Sequence, residues 1–169
     1  MLIDRRNLLL AGTGIAALAA FGFLRPMGAV EAAEGDFPYK LSDAEWKAKL
    51  DPAAYDVLRH EGTERPFTSP LNDEKRAGTF LCAGCDQPLF ASETKYDSGT
   101  GWPSFYTFIE GGIATSVDNS LFMTRTEAHC SNCGGHQGHV FEDGPAPTGL
   151  RYCIDGFGMV FHPAPASAT

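Results

Sequence analysis

Five cysteines, two clustered histidines and one tryptophan-bearing turn hold most of the chemistry this sequence can do. Cys82-Ala83-Gly84-Cys85 and Cys130-Ser131-Asn132-Cys133 are two Cys-x-x-Cys knuckles, each followed closely by glycine or another turn-former. Four thiolates from such knuckles can close a tetrahedron around one ion, and a four-cysteine site is structural, with zinc the ion it suits. The same thiols can instead pair as disulfides in an oxidising compartment or work as a redox couple. A redox Cys-x-x-Cys opens a helix, and neither knuckle precedes an evident one. One structural zinc on Cys82, Cys85, Cys130 and Cys133 is therefore the expected cofactor, although iron suits the same ligands.

Cys153 is left over, in Arg151-Tyr152-Cys153-Ile154-Asp155. On a strand, alternate side chains share a face, so Arg151, Cys153 and Asp155 point one way and Tyr152 and Ile154 the other. A nearby guanidinium favours the thiolate, which is the nucleophilic form. Asp155 opposes it unless Arg151 pairs with that carboxylate. A lone cysteine is otherwise a small hydrophobe. His136 and His139 follow the second knuckle in the Gly-rich run Gly134-Gly135-His136-Gln137-Gly138-His139. Imidazoles there can supply and take protons near neutral pH. In Ser98-Gly99-Thr100-Gly101-Trp102-Pro103-Ser104-Phe105 the glycines allow tight turns, and Trp102 and Phe105 can line an apolar pocket.

Something has to hold these pieces together. The chain has 169 residues, enough for one domain, and 19 Gly with 11 Pro favour short strands and turns. Ser42-Asp43-Ala44-Glu45 is a capping box that starts a helix to about Leu50. Asp51-Pro52 starts a second, through His60, with Gly62 as its stop. Strands are expected at Gly78 to Cys82, Ile113 to Val117, Ser120 to Thr126, His139 to Phe141, Leu150 to Ile154 and Met159 to Phe161, with a hairpin turn at Asp118-Asn119. The expected architecture is two short N-terminal helices on an antiparallel β domain, within residues 42–163, after a linker at 34–41 and before a tail at 164–169. A formal charge of −8 and a pI near 5.0 argue against a nucleic-acid binder.

Residues 1–33 look like an address. Arg5-Arg6 is followed by an apolar run to Leu24 and small residues around Ala32-Ala33, the parts of a twin-arginine-like export signal. An uncleaved anchor is the competing reading, but the run is at the short edge of a bilayer span and carries four Gly or Thr. The expected location is the periplasm. A route that exports folded chains lets metal load before oxidants reach the thiols.

Taken together, these residues resemble the B-type peptide methionine sulfoxide reductases, which act on the R epimer. The resemblance rests on Gly62-Thr63-Glu64-Arg65-Pro66-Phe67, both knuckles, Lys95-Tyr96-Asp97-Ser98-Gly99, Gly101-Trp102-Pro103-Ser104-Phe105, Arg125-Thr126-Glu127, Gly138-His139-Val140-Phe141, Asp143-Gly144-Pro145 and Gly149-Leu150-Arg151-Tyr152-Cys153-Ile154. It covers about residues 42–162. It implies two antiparallel sheets stapled by a four-cysteine zinc site. It also implies attack by Cys153 on the sulfoxide, through a Cys153 sulfenic acid, with His136 and His139 orienting substrate and handling protons. Arg151 would stand beside the nucleophile, and Trp102 would pack on the substrate methyl.

Three positions depart from the family pattern. Thr100 stands where many members carry a resolving cysteine, so recycling falls to an external thiol or a thioredoxin-like partner. Asp155, counted with Trp102 and Phe105 among the substrate-binding residues, stands where many relatives have Asn. Gln137 replaces a usually apolar residue. The expected substrate is methionine R-sulfoxide, in proteins or free, and the expected state a monomer. The alternative is a zinc-stapled module that binds methionine without turnover.

Overall fold

The computed structural model describes residues 35–165. The export signal expected over residues 1–33 and the tail from 166 lie outside them. Two helices open the described chain. In α1, Asp43–Lys49, Ser42 and Glu45 form the reciprocal capping box. In α2, Pro52–His60, the Asp51 carboxylate accepts the N–H groups of Ala53 and Ala54, and Pro52 fills the first turn, where no donor is needed. The left-handed residue that ends α2 is Glu61 rather than Gly62. Among the described residues no helix is long and apolar enough to cross a membrane.

Nine strands follow: β1 (Gly78–Cys82), β2 (Pro88–Ala91), β3 (Lys95–Tyr96), β4 (Ser104–Phe105), β5 (Ile113–Asp118), β6 (Arg125–Cys130), β7 (His136–Phe141), β8 (Arg151–Ile154) and β9 (Met159–Pro163). They form two antiparallel sheets, in the orders β2-β1-β9 and β3-β4-β8-β7-β6-β5. This is the expected mainly-β architecture of two sheets and two short helices.

The details differ where local chemistry overrides pattern. The expected hairpin at Asp118-Asn119 is a wider connection. Asp118 Oδ1 accepts the Ser120 N–H at 2.7 Å, a 3-10 turn spans Ser120–Phe122, and pairing resumes only at Arg125. β2, β3 and β4 have no readable alternation because two are two-residue bridges and the third opens on proline.

The core sits between the sheets. Phe90 and Phe105 stack with centroids 4.2 Å apart, and Phe80 meets Phe105 edge-on at 5.0 Å. Tyr152 and Ile154 of β8 join them. The helices pack on the knuckles: a Cβ at Gly84 would lie 3.3 Å from the Trp46 ring and 3.4 Å from Leu58, so α1 and α2 reach the first knuckle closely. Residues expected to be a linker lie against the second knuckle, where the Tyr39 N–H donates to the Asn132 carbonyl at 2.8 Å and Phe37 meets His129 edge-on.

Candidate active site and metal centre

The two knuckles meet. The first joins β1 to β2 in the smaller sheet, the second joins β6 to β7 in the larger. Their four sulfurs lie within 4.8 Å of one another, with Cys82 to Cys133 at 3.7 Å and Cys85 to Cys130 at 3.6 Å. Sulfurs bound tetrahedrally at about 2.3 Å from one ion sit roughly 3.8 Å apart, so the set fits a metal. All five cysteines are free thiols rather than disulfides. A metal here ties the sheets together. Gln137, fully buried, donates from Nε2 to Cys82 Sγ at 3.5 Å. That polar departure therefore faces the metal site, where outer hydrogen bonds orient ligands.

Cys153 is placed by β8, between β4 and β7. Its registered partners are Ser104 and His139. Tyr152 and Ile154 turn into the core, so the expected alternation holds and Cys153 faces outward into a cavity of about 150 Å³. Thr63, Trp102, Arg125, His139, Phe141 and Asp155 share that cavity with it. Phe105 does not. Two-residue strand β4 points Ser104 toward the Cys153 face and Phe105 to the opposite one, where its fully buried ring completes the aromatic core. Its expected place at the substrate is thus corrected by strand parity.

Both histidines lie on β7, which starts three residues before the expected His139. Three residues apart on a regular strand, they would face opposite sides. The register instead runs from Ala128↔Gly138 to His129↔His136, which leaves Gln137 as an extra, bulged residue. The bulge restores parity, and the imidazole centroids lie 5.3 Å apart. Gly138 makes this possible: its φ is +146°, and a Cβ there would lie 2.0 Å from the Cys153 carbonyl. His139 lines the cavity, whereas His136 is buried behind it.

Each histidine has a carboxylate. His139 Nε2 bonds Asp118 Oδ2 at 2.8 Å, and Arg125 donates to the same oxygen at 2.6 Å. Burial raises the Asp118 carboxyl, but its bonds to Ser120 and His139 and the Arg125 charge outweigh that and hold it below the usual range. Burial lowers His139 against the pull of Asp118, so its imidazole is neutral near pH 7. An ionised Asp118 fixes the proton on Nε2 and leaves Nδ1 as the free base. His136 Nδ1 bonds Glu127 Oε1 at 2.8 Å, while Ser116 donates to Glu127 Oε2 at 2.5 Å. Burial raises Glu127 too, and the hydrogen bonds from His136 and Ser116, with the His129 ring nitrogen 3.4 Å away, overcome it.

The surroundings of the Cys153 thiol pull both ways. Burial pushes the Cys153 thiol up, Arg151 and a contact with Thr100 lower it, and Asp155 raises it. Thr100 Oγ1 lies 4.0 Å from Sγ and is bonded to Ser98 at 2.8 Å. Arg151 does not pair with Asp155. It makes a two-pronged bond to Asp143 at 2.8 and 2.9 Å, with its guanidinium 4.3 Å over the Phe141 ring. Asp155 Oδ1 instead accepts the Glu64 N–H at 2.8 Å, and burial pushes its carboxyl up to about 6.

Asp118, Glu127, Arg125, Glu64 and Phe141 complete this site without any role having been read for them in the sequence. Asp118 closes strand β5, and Glu127 points inward from β6. Their only local signal is a charged residue at an inward-facing position.

A family profile described as the SelR domain matches residues 50–163. The chain is 54% identical over 123 residues to the peptide methionine sulfoxide reductase MsrB of Agrobacterium fabrum, covering 72% of this chain and 91% of that protein. It is 58% identical over 120 residues to the protein of the same name from Pseudomonas putida, covering 70% and 90%. It is 51% identical over 123 residues to that of Thiobacillus denitrificans, covering 72% and 93%.

Proposed function

Because the chain belongs to the SelR-domain family, we propose that it is a peptide-methionine (R)-S-oxide reductase whose nucleophile is Cys153. The carrying observation is that Cys153, His139, Trp102 and Asp155 line one cavity. His139 stands directly across from Cys153 in the β7–β8 register. Its neutral imidazole takes the proton of the buried thiol, and Asp118 stabilises the imidazolium that forms. The thiolate attacks the sulfoxide sulfur while the imidazolium returns the proton to the sulfoxide oxygen. In that adduct the S–S bond and the sulfoxide S–O bond break as a new S–O bond forms to Cys153; two of the four bonding electrons stay on the methionine sulfur, and Cys153 carries the hydroxyl away as a sulfenic acid. Trp102 and Phe141 supply the apolar wall for the substrate methyl.

Two external thiols then complete the cycle. The first displaces water from the sulfenic acid to give a mixed disulfide, and the second releases Cys153. This reading is supported by Thr100 at the contact beside Sγ, since every other cysteine is committed to the four-sulfur cluster. Zinc is the proposed ion of that cluster, and it supplies structural closure rather than chemistry. His136 and Glu127 hold the strand that carries His139. Export to the periplasm through the twin-arginine-like residues 1–33 belongs to the same proposal, supported by Arg5-Arg6 and the apolar run after them.

Turnover of separated R and S sulfoxides with dithiothreitol, beside Cys153→Ser, tests the function. R-only reduction that disappears with Cys153 supports it. An intact, metal-loaded chain with no turnover on either epimer overturns it in favour of a binding module.

A further inference from the structure

One buried residue touches the cavity wall at three points. Glu64, 7% exposed, follows α2. Its N–H donates to Asp155 Oδ1 at 2.8 Å, and its carbonyl accepts Trp102 Nε1–H at 3.1 Å. Its side-chain Oε1 accepts the N–H of Gly156 at 2.6 Å, while Oε2 is buried with no hydrogen-bond partner among the described residues. Trp102 comes from the turn before β4, and Asp155 and Gly156 follow β8, so the residue bridges two segments far apart in the chain.

We infer that Glu64 is a positioning residue for sulfoxide binding: its side chain pins the backbone that holds Trp102 and Asp155 at the cavity wall. This rests on the reductase reading. The backbone bonds to Trp102 and Asp155 are only as well placed as the segment carrying them, and among the described residues the side chain of Glu64 is anchored by the Gly156 N–H. That donor is buried, so losing its acceptor leaves it unpaired, which is the expensive way to break a hydrogen bond. Among the described residues Glu64 has no hydrogen bond to the thiol, whose own polar contact is Thr100. Its effect must therefore appear in binding more than in the intrinsic reactivity of Cys153.

Burial pushes the Glu64 carboxyl up to about 7, opposed by the Gly156 N–H and aided by the Asp155 charge. Glutamine is thus a close mimic of its protonated form and keeps the acceptor, whereas alanine removes it.

The test compares metal-loaded wild type, Glu64→Gln and Glu64→Ala on N-acetylmethionine R-sulfoxide near pH 6.5, with acrylamide quenching of tryptophan emission and iodoacetamide alkylation of Cys153. Glu64→Ala is expected to raise KM by about tenfold, with kcat changed by no more than about threefold. It should expose the Trp102 indole to acrylamide and leave the alkylation rate unchanged. Glu64→Gln is expected to restore KM to within about twofold of wild type. The inference is overturned if Glu64→Ala leaves KM and quenching unchanged. It is equally overturned if Glu64→Gln is as impaired as Glu64→Ala, or if kcat and alkylation fall together with KM. A wild type without turnover would overturn the reductase reading instead, and quenching alone would then decide whether Glu64 clamps Trp102.

Discussion

Asp155→Asn should move the titration of Cys153 to lower pH. The two side chains line one cavity from the same face of the chain, and Asp155 is only 4% exposed. Two residues along a strand separate them by about 7 Å. At an effective dielectric of about 20, a unit charge there disfavours the thiolate by about 2.4 kcal/mol. That corresponds to about 1.7 pH units. Asp155, pushed up to about 6 by burial, is ionised through the range in which a buried thiol titrates. Water and salt on the open side of the cavity screen part of the interaction, so the expected displacement is about one pH unit. Asparagine keeps an oxygen for the Glu64 N–H, so the wall geometry is retained. The assay is the rate of iodoacetamide alkylation of Cys153 from about pH 6 to 10, followed by mass spectrometry with the four clustered thiols metal-bound. A displacement below about 0.2 pH unit, or one toward higher pH, would refute the reasoning and put the Asp155 charge out of electrical reach of the thiol.

Three other outcomes follow from the geometry. Stripping the metal, or Cys82→Ser, should lower the melting temperature by roughly 10 °C or more, because an ion held by the four sulfurs would join the two sheets; circular dichroism melts beside metal analysis check this, and an unchanged melt refutes the staple. Phe105→Ala should cost about 3–5 kcal/mol in urea unfolding while KM of the folded protein stays within about twofold, since the ring fills the core and not the cavity; a large KM change with intact stability would return Phe105 to the substrate. Glu127→Gln should lower single-turnover rate by about tenfold to a hundredfold, because His136 loses its ionised partner behind His139. An unchanged rate would make Glu127 purely structural.

Much of this protein is legible in order along the chain. Both helix starts are, because a capping box and an Asp-Pro pair satisfy orphan backbone donors with side chains only one to three residues away. So is the metal site, since each knuckle is a local turn and only the joining of the two is remote. The alternation around Cys153 follows from a four-residue strand whose neighbours are plainly core or plainly charged. The outcome is different wherever pairing decides. β4 is two residues long, and nothing within it says that Ser104 faces the thiol while Phe105 faces the core; that comes from its register on β8.

The clustering of four cysteines, the two-helix start and the mainly-β class can be read along the chain, and so can the candidacy of Cys153, because these depend on residue type and short spacing. Which carboxylate meets which basic side chain is set by contacts between remote segments. Asp143 rather than Asp155 takes Arg151, Asp118 takes His139, Glu127 takes His136, and Glu64 holds Asp155 and Trp102. Each of those partnerships crosses between strands or segments, and its geometry is set by register. In β7 that register turns on one bulged residue, Gln137, and on a glycine at φ +146° that lets the backbone of the histidine strand press against the backbone of the cysteine strand.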